Sequence, residues 1–190
     1  MTHAMVTVIC FSMTSILLNI NMSQEIARNS EYGITLPVPD GTLYCPPSKN
    51  VHSHGPVLLL GSRDLKNCSP LDENSRYIGV FASGNAVIRT KTLSGFLKYW
   101  ACNNDQNPCI AAPKDLNIRG MPSMAARVNR SNGWIDISVV TQAGKPDPAF
   151  DATVPSINYY LGLHTNPEHL EEDLRIFRVV LQTIKISPPN

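Results

Sequence analysis

Cysteine offers the most chemistry in this chain, and its spacing is uneven. Cys10 lies in an apolar N-terminal run, while Cys45, Cys68, Cys102 and Cys109 follow it. The stretch "YWACNNDQNPCIAAP" sets Cys102 and Cys109 around Asn103, Asn104, Asp105, Gln106 and Asn107, a loop with nothing apolar to pack. Zinc wants tight C-x₂₋₄-C pairs or flanking histidines at ligand spacing, and neither cysteine interval supplies them. An even number of cysteines in an exported chain reads as disulfides, with three possible pairings. The short separation favours Cys102–Cys109 together with Cys45–Cys68. Closing so short a loop removes denatured-state entropy worth about 2–3 kcal/mol. The bond then replaces a missing core, and paired sulfurs leave no thiol nucleophile.

Histidine comes next. His52 and His54 in "NVHSHGP" would point both rings to one face if they lay on a strand, as a metal site requires. Pro46, Pro47 and Pro56 disfavour a regular strand there, and no Asp or Glu lies close in sequence. The reading is a solvated loop, with a small exported hydrolase or metal-dependent binder as its rival. His164 and His169 flank a helix start and read as caps or surface residues. Ser83-Gly84 and Ser94-Gly95 read as a turn and a helix start. The chain has no G-x-S-x-G, P-loop, H-E-x-x-H or dinucleotide fingerprint. No catalytic residue, metal or cofactor is therefore expected. Asn67 and Asn129 match the glycosylation acceptor, which matters only in a eukaryotic secretory route.

Composition and charge narrow the partners. At 43% hydrophobic the chain can bury a normal core, and 16% charged is low against roughly 25% in soluble domains. Lys plus Arg (16) nearly cancels Asp plus Glu (15), so there is no electrostatic footprint for nucleic acid. From Met1 to Gln24 there is no charged side chain, and "MVTVICFSMTSILLNI" is an almost unbroken apolar run. It is short for a membrane span and suits the core of a secretory signal. The reading is a signal peptide or anchor over 1–23 and a single domain over 24–190, periplasmic or secreted, without stable membrane insertion. A buried N-terminal strand is the alternative, through Val6, Val8, Ile9 and Phe11.

The elements that must hold these residues follow from periodicity. "EYGITLPVPDG" predicts a short strand ending in a Pro-Asp-Gly turn, and "TLYCPPSKNVHSHGP" irregular chain. "VLLLGS" and "RYIGVFAS" predict buried strands. Leu93, Phe96, Leu97 and Trp100 recur at helical spacing, with Thr90 or Thr92 as cap, so the Cys102 loop sits at a helix C-terminus. "MAARVNRSNGWIDISVV" predicts a hairpin through a type I′ turn at Asn132-Gly133. In its second strand Ile135, Ile137 and Val139 alternate with a solvated face carrying Asp136 and Ser138. "AGKPDPAFDATVP" predicts a mobile loop, and "SINYYLGLH" a further strand. Leu170, Leu174, Phe177, Leu181 and Ile184 form a last helical stripe, capped by Thr165-Asn166-Pro167-Glu168, with Lys185 at its negative end. The fold class this predicts is α+β: an antiparallel sheet covered by helices, the C-terminal one long.

"YGITLPVPDG", "RYIGVFAS" before a helix, the central hairpin and the closing "LRIFRVVLQTIKIS" come in an order that resembles the PsbP-like sandwich fold. There a G-I-x-x-x-x-P strand opens the sheet and a terminal helix crosses it, ending in residues like "TIKIS". Several periplasmic immunity proteins of bacterial type VI secretion systems are similar in size and plan. The resemblance implies a non-enzymatic protein that neutralises a partner toxin by occluding its active site. A structural protein of the cell envelope is a further alternative. A rigid polar loop suits that contact, since the Cys102–Cys109 bond lowers the ordering cost of docking. The expected partner-binding residues are Trp100 with Asn103, Asn104, Asp105, Gln106 and Asn107, with Tyr99 beside them as a second aromatic anchor.

Overall fold

The computed structural model describes residues 22–47, 55–61, 68, 74–85, 89–102, 108–148 and 150–189. The apolar run over 1–21, His52 and His54, Asn67, and Asn103 to Asn107 lie outside them. The described elements are strands β1 (Met22–Asn29), β2 (Ile34–Pro39), β3 (Thr42–Cys45), β4 (Val57–Leu60) and β5 (Tyr77–Gly84), then helix α1 (Leu93–Ala101). Strands β6 (Cys109–Ala111), β7 (Met124–Asn129), β8 (Ile135–Asp147) and β9 (Asp151–Thr165) lead to helix α2 (Leu170–Thr183) and strand β10 (Lys185–Ile186).

An antiparallel seven-stranded sheet in the order β3-β4-β5-β9-β8-β7-β6 forms the body, with β1-β2-β10 as a smaller sheet. The alternation read in the sequence orients the large sheet. Ile78 and Val80, Ile135, Ile137 and Val139, and Tyr159, Leu161 and Leu163 all turn to its inner face and are buried. Against them pack Ile34, Leu36 and Val38 of β2 and Leu174, Phe177, Val180 and Leu181 of α2, in one continuous cluster.

This overturns the expected fold class. The protein is mostly β: two sheets and two short helices among the described residues, rather than a sheet covered by helices with a long one at the C-terminus. The inner face is covered by the second sheet and α2 together. The helix stops because Ile184 turns extended (φ −58°, ψ 138°) while its side chain stays in the core. Lys185 and Ile186 then pair with Thr35 and Ile34, meeting backbone groups of β2 that a longer helix would leave unpaired. "TIKIS" is thus a helix end and a strand. Gly33 allows the join: at φ +64° it lies where a Cβ would strike the Ser187 carbonyl, whose residue donates its N–H to Gly33 O at 2.9 Å.

Three local expectations change as well, and β1 adds a strand that the sequence pattern does not place. Thr42 to Cys45 form a strand, because the prolines follow it. β1 has no alternating pattern and pairs with β2 through its backbone, with a register irregularity between Met22 and Ile26. The stretch expected as a mobile loop extends the β8–β9 pairing instead, with Pro146 opposite Pro155 where the ladder is already irregular. The hairpin turn is not type I′. Gly133 N–H donates to Arg130 O (3.0 Å), Arg130 N–H to Trp134 O (2.7 Å), and only Gly133 has positive φ (+86°). That is a three-residue loop with a glycine bulge.

The α2 start differs too. Thr165 ends β9 and its hydroxyl donates to Asp173 Oδ2. Asn166 Oδ1 accepts from His169 N–H instead (3.1 Å). Asp173, in the first turn of α2, is 1% exposed and accepts both contacts of Arg76 Nη1 (3.1 and 3.2 Å). Burial pushes its carboxyl above the ordinary range, against the Thr165 hydrogen bond and the Arg76 charge. Lys185 lies in β10 rather than at the helix end.

Candidate functional site

The outer face of the large sheet is where the sequence-marked residues gather. Cross-strand register builds it in rows: Tyr77, His164, Asp136 and Val128; then Gly79, Gly162, Ser138 and Ala126; then Phe81, Tyr160, Val140 and Met124; then Ser83, Asn158 and Gln142. The glycine row makes room for the row of rings. A Cβ at Gly79 would collide with Phe81, and one at Gly162 with Tyr160, so both rings lie flat across the sheet and stack at 5.8 Å and 7°.

The expected solvated face of β8 is therefore corrected. Ser138 is buried under Tyr160 and donates to its hydroxyl at 3.2 Å. Burial pushes the Tyr160 phenol well above its ordinary range, with the Ser138 bond opposing.

The last row places α1. Asn85 and Asn158 are fully buried. Asn85 Oδ1 accepts from Thr90 N–H and Asn158 Nδ2 (both 3.1 Å), Asn85 Nδ2 donates to Pro155 O (3.0 Å), and Gln142 Nε2 donates to Asn158 Oδ1 (2.8 Å). This pins the connection after β5 to β8 and β9. Thr92 is the cap, its hydroxyl accepting from Gly95 N–H at 3.1 Å. The helix then buries Phe96 and Leu97 on Ala126 and Val140.

Trp100, an expected contact residue, leans on Tyr160 (5.5 Å) and Phe96 (6.3 Å) yet stays 39% exposed, and Tyr99 is 52% exposed. Cys102 ends the helix and is bonded to Cys109 at the start of β6; Cys45 is bonded to Cys68. Both pairs match the spacing argument. Beside α1, a groove of about 380 Å³ is lined by Ser94, Leu97, Lys98, Cys102, Pro108, Cys109 and Met124. Sequence reasoning missed Lys98 and Met124. Met124 is 39% exposed at the edge of a strand whose only visible signal was its hairpin.

A second cluster lies at the far end of the same face. His164, expected at the surface, is buried with its ring stacked on Trp134 (4.7 Å, 7°) and 5.2 Å from Tyr77. Its Nδ1 lies 2.6 Å from Asp136 Oδ1; a carboxylate only accepts, so that nitrogen carries the proton. Arg130 Nε donates to the other oxygen of Asp136. The cluster ties the hairpin tip to β9. His169 is the N-cap position of α2, with Nδ1 2.9 Å from Asn166 Oδ1. Among the described residues no three His, Cys, Asp or Glu side chains could hold a metal ion, and no helix is long and apolar enough to cross a membrane.

No protein-family model matches the sequence, and no curated protein matches it. Solved structures do. LpqN of Mycobacterium tuberculosis, involved in cell envelope biogenesis, is similar over 82% of this chain and 83% of its own, with a TM-score of 0.55 and 12% identity. The cyanobacterial PsbP (CyanoP) of Synechocystis sp. PCC 6803 is similar over 86% of this chain and 92% of its own, with a TM-score of 0.47 and 13% identity. The chain thus has the fold of LpqN. Its two disulfides fit folding in an oxidising environment outside the cytoplasm.

Proposed function

We propose that the protein is an exported, non-catalytic binding protein that neutralises a partner enzyme by lying across its active site. The observation that carries this reading is the α1 face. Tyr99 and Trp100 stand exposed on the helix, Met124 lines the apolar groove beside it, Lys98 is the one charged side chain among the described lining residues, and a disulfide fixes one wall. Aromatic anchors beside a rigid wall are what interface hot spots favour, because little side-chain freedom is lost on docking. The complementary patch on the partner is apolar and carries a carboxylate to meet Lys98. The specific form of the reading is a periplasmic immunity protein of a type VI secretion system, bound to its toxin. A second reading, a binding role at the cell envelope, takes its motive from the fold shared with LpqN.

The test is affinity capture from extracts of the source organism with the full chain and with a Trp100→Ala/Met124→Glu variant. A hydrolase retained by the native chain, inhibited at one-to-one stoichiometry and lost by the variant is the expected result. Capture of envelope proteins without any inhibited enzyme would favour the second reading. A partner retained equally by both chains would move the interface off α1.

A further inference from the structure

We infer that Cys102–Cys109 is the disulfide that a dithiol reductant of the extracytoplasmic space opens first, and that its opening loosens the α1–β6 groove. As regulation, this rests on reading that groove as the binding site. The two bonds differ in where an expelled thiolate would sit. Cys45 is 0% exposed and packed among Val57, Leu59 and Phe81, with Cys68 at the edge of that cluster. Attack at Cys68 must expel the Cys45 thiolate into an apolar pocket, where a thiolate is disfavoured and a poor leaving group. Cys102 and Cys109 are both partly exposed and line an open groove that also holds the Lys98 ammonium.

The direction of attack follows from the helix. Cys102 is the C-cap residue of α1, at the negative end of its dipole, where a thiolate is disfavoured. One thiolate of the reductant therefore bonds to Cys102 Sγ, and the S–S electron pair leaves with Cys109, which takes a proton from water. The second thiol of the reductant then displaces Cys102, closing the reductant into a disulfide. Two electrons pass to the protein, which is left with two thiols.

The mechanical consequence is local. β6 is a three-residue strand at the end of the sheet order, paired only with β7 among the described strands. The groove has one wall on α1 (Ser94, Leu97, Lys98) and another at Pro108 and Cys109, and the disulfide joins them covalently. After reduction the pairing of Cys109 to Ala111 with Ala126 to Val128 is the strand pairing that still holds the second wall among the described residues.

The test treats the full native chain with graded dithiothreitol, blocks free thiols by alkylation, and maps them by mass spectrometry. Cys102 and Cys109 should be alkylated at reductant concentrations at least about tenfold below those needed for Cys45 and Cys68, a difference of about 30 mV. In the selectively reduced protein, hydrogen exchange should rise at the α1 C-terminus and in β6 but not in β8 or β9. Opening of Cys45–Cys68 first, or of both bonds together on unfolding, overturns the selectivity. Selective reduction that leaves exchange unchanged in α1 and β6 overturns the coupling to the groove. Neither readout involves a partner, so both stand apart from the affinity capture.

Discussion

Tyr159 and Tyr160 are neighbours on β9 and face opposite ways. Tyr159 is fully buried on the inner face and reaches across to donate its hydroxyl to Tyr32 O at 2.9 Å, within a cluster that runs from β2 through the sheet to α2. Tyr160 lies flat on the outer face, between two small clusters closed by disulfides. The inner face is a continuous core; the outer is a set of local devices that keep aromatic rings near the surface. Stability should therefore reside inside and recognition outside. Replacing fully buried Phe177 by Ala should cost about 3–5 kcal/mol. Replacing Trp100, already 39% exposed, should cost about 1 kcal/mol or less while abolishing partner capture. Urea denaturation of both variants checks this, and equal losses would break the division between faces.

A buried charge sharpens the comparison next. Arg76→Ala leaves the Asp173 carboxylate, 1% exposed, with only the Thr165 hydroxyl, at a cost of about 3–4 kcal/mol near neutral pH. The sign of the pH dependence follows from the raised position of Asp173. In the window between its unfolded and folded titrations the folded chain holds a proton that the unfolded chain has released. This group therefore opposes folding at neutral pH, and the opposition fades as pH falls through that window. Asp115 and Asp151 run the other way: Arg178 holds the first low and the Thr153 hydrogen bonds hold the second at about 2, so their contributions are lost on acidification. The gap between variant and native chain isolates Asp173. It should narrow as the pH is lowered from neutral, because the raised carboxyl takes up its proton there first; a constant gap would show that the carboxylate stays charged throughout.

How far the sequence reaches follows the same division. Ile135, Ile137 and Val139 read correctly because one apolar face every second residue is all the inner sheet requires. The disulfide pairs read correctly because loop length alone discriminates among so few cysteines. Ser138 and His164 are buried and Asp136 is half-buried, since Tyr160 covers Ser138 and Trp134 stacks on His164, and only strand pairing brings those rings there. α2 ends before its apolar stripe does, because Ile184 continues the helical spacing while its backbone has already turned into a strand. Lys98 and Met124 carry no local mark at all; only the crossing of α1 over β7 makes them neighbours of one groove.

The two disulfides give the next expected difference. By loop closure alone, with sequence separations of 23 and 7, removing Cys45–Cys68 should cost about 3.4 kcal/mol and removing Cys102–Cys109 about 2.4 kcal/mol. Burial of Cys45 widens the gap, since its replacement also disturbs Val57, Leu59 and Phe81. Paired Cys→Ser variants measured by denaturant unfolding should keep that order. The reverse order would place unexpected weight on the outer groove.

The smallest effect is the alkaline one, and it returns to the two tyrosines. Burial pushes Tyr159 up to about 12, with Tyr32 adding to the rise, and burial pushes Tyr160 up as well. Both phenols keep their protons in the fold at pH values where the unfolded chain, with ordinary phenols near 10, has lost them. Their contribution is complete below about pH 10 and is lost as pH rises through the folded values. Each of Tyr159→Phe and Tyr160→Phe should flatten the decline in stability between about pH 10 and 12, and each should cost about 1 kcal/mol at pH 8 through its lost hydrogen bond. Phenolate absorbance reads the same protons directly. Tyr32 and Tyr77 are raised by burial as well, so the native chain should show a late group of phenols whose ionisation accompanies unfolding, and each variant should lose one phenol from it. If Tyr159→Phe removes a late phenol and Tyr160→Phe removes none, the outer face admits water freely to its central ring. Tyr160 would then be part of the accessible surface beside Trp100 rather than the floor beneath it.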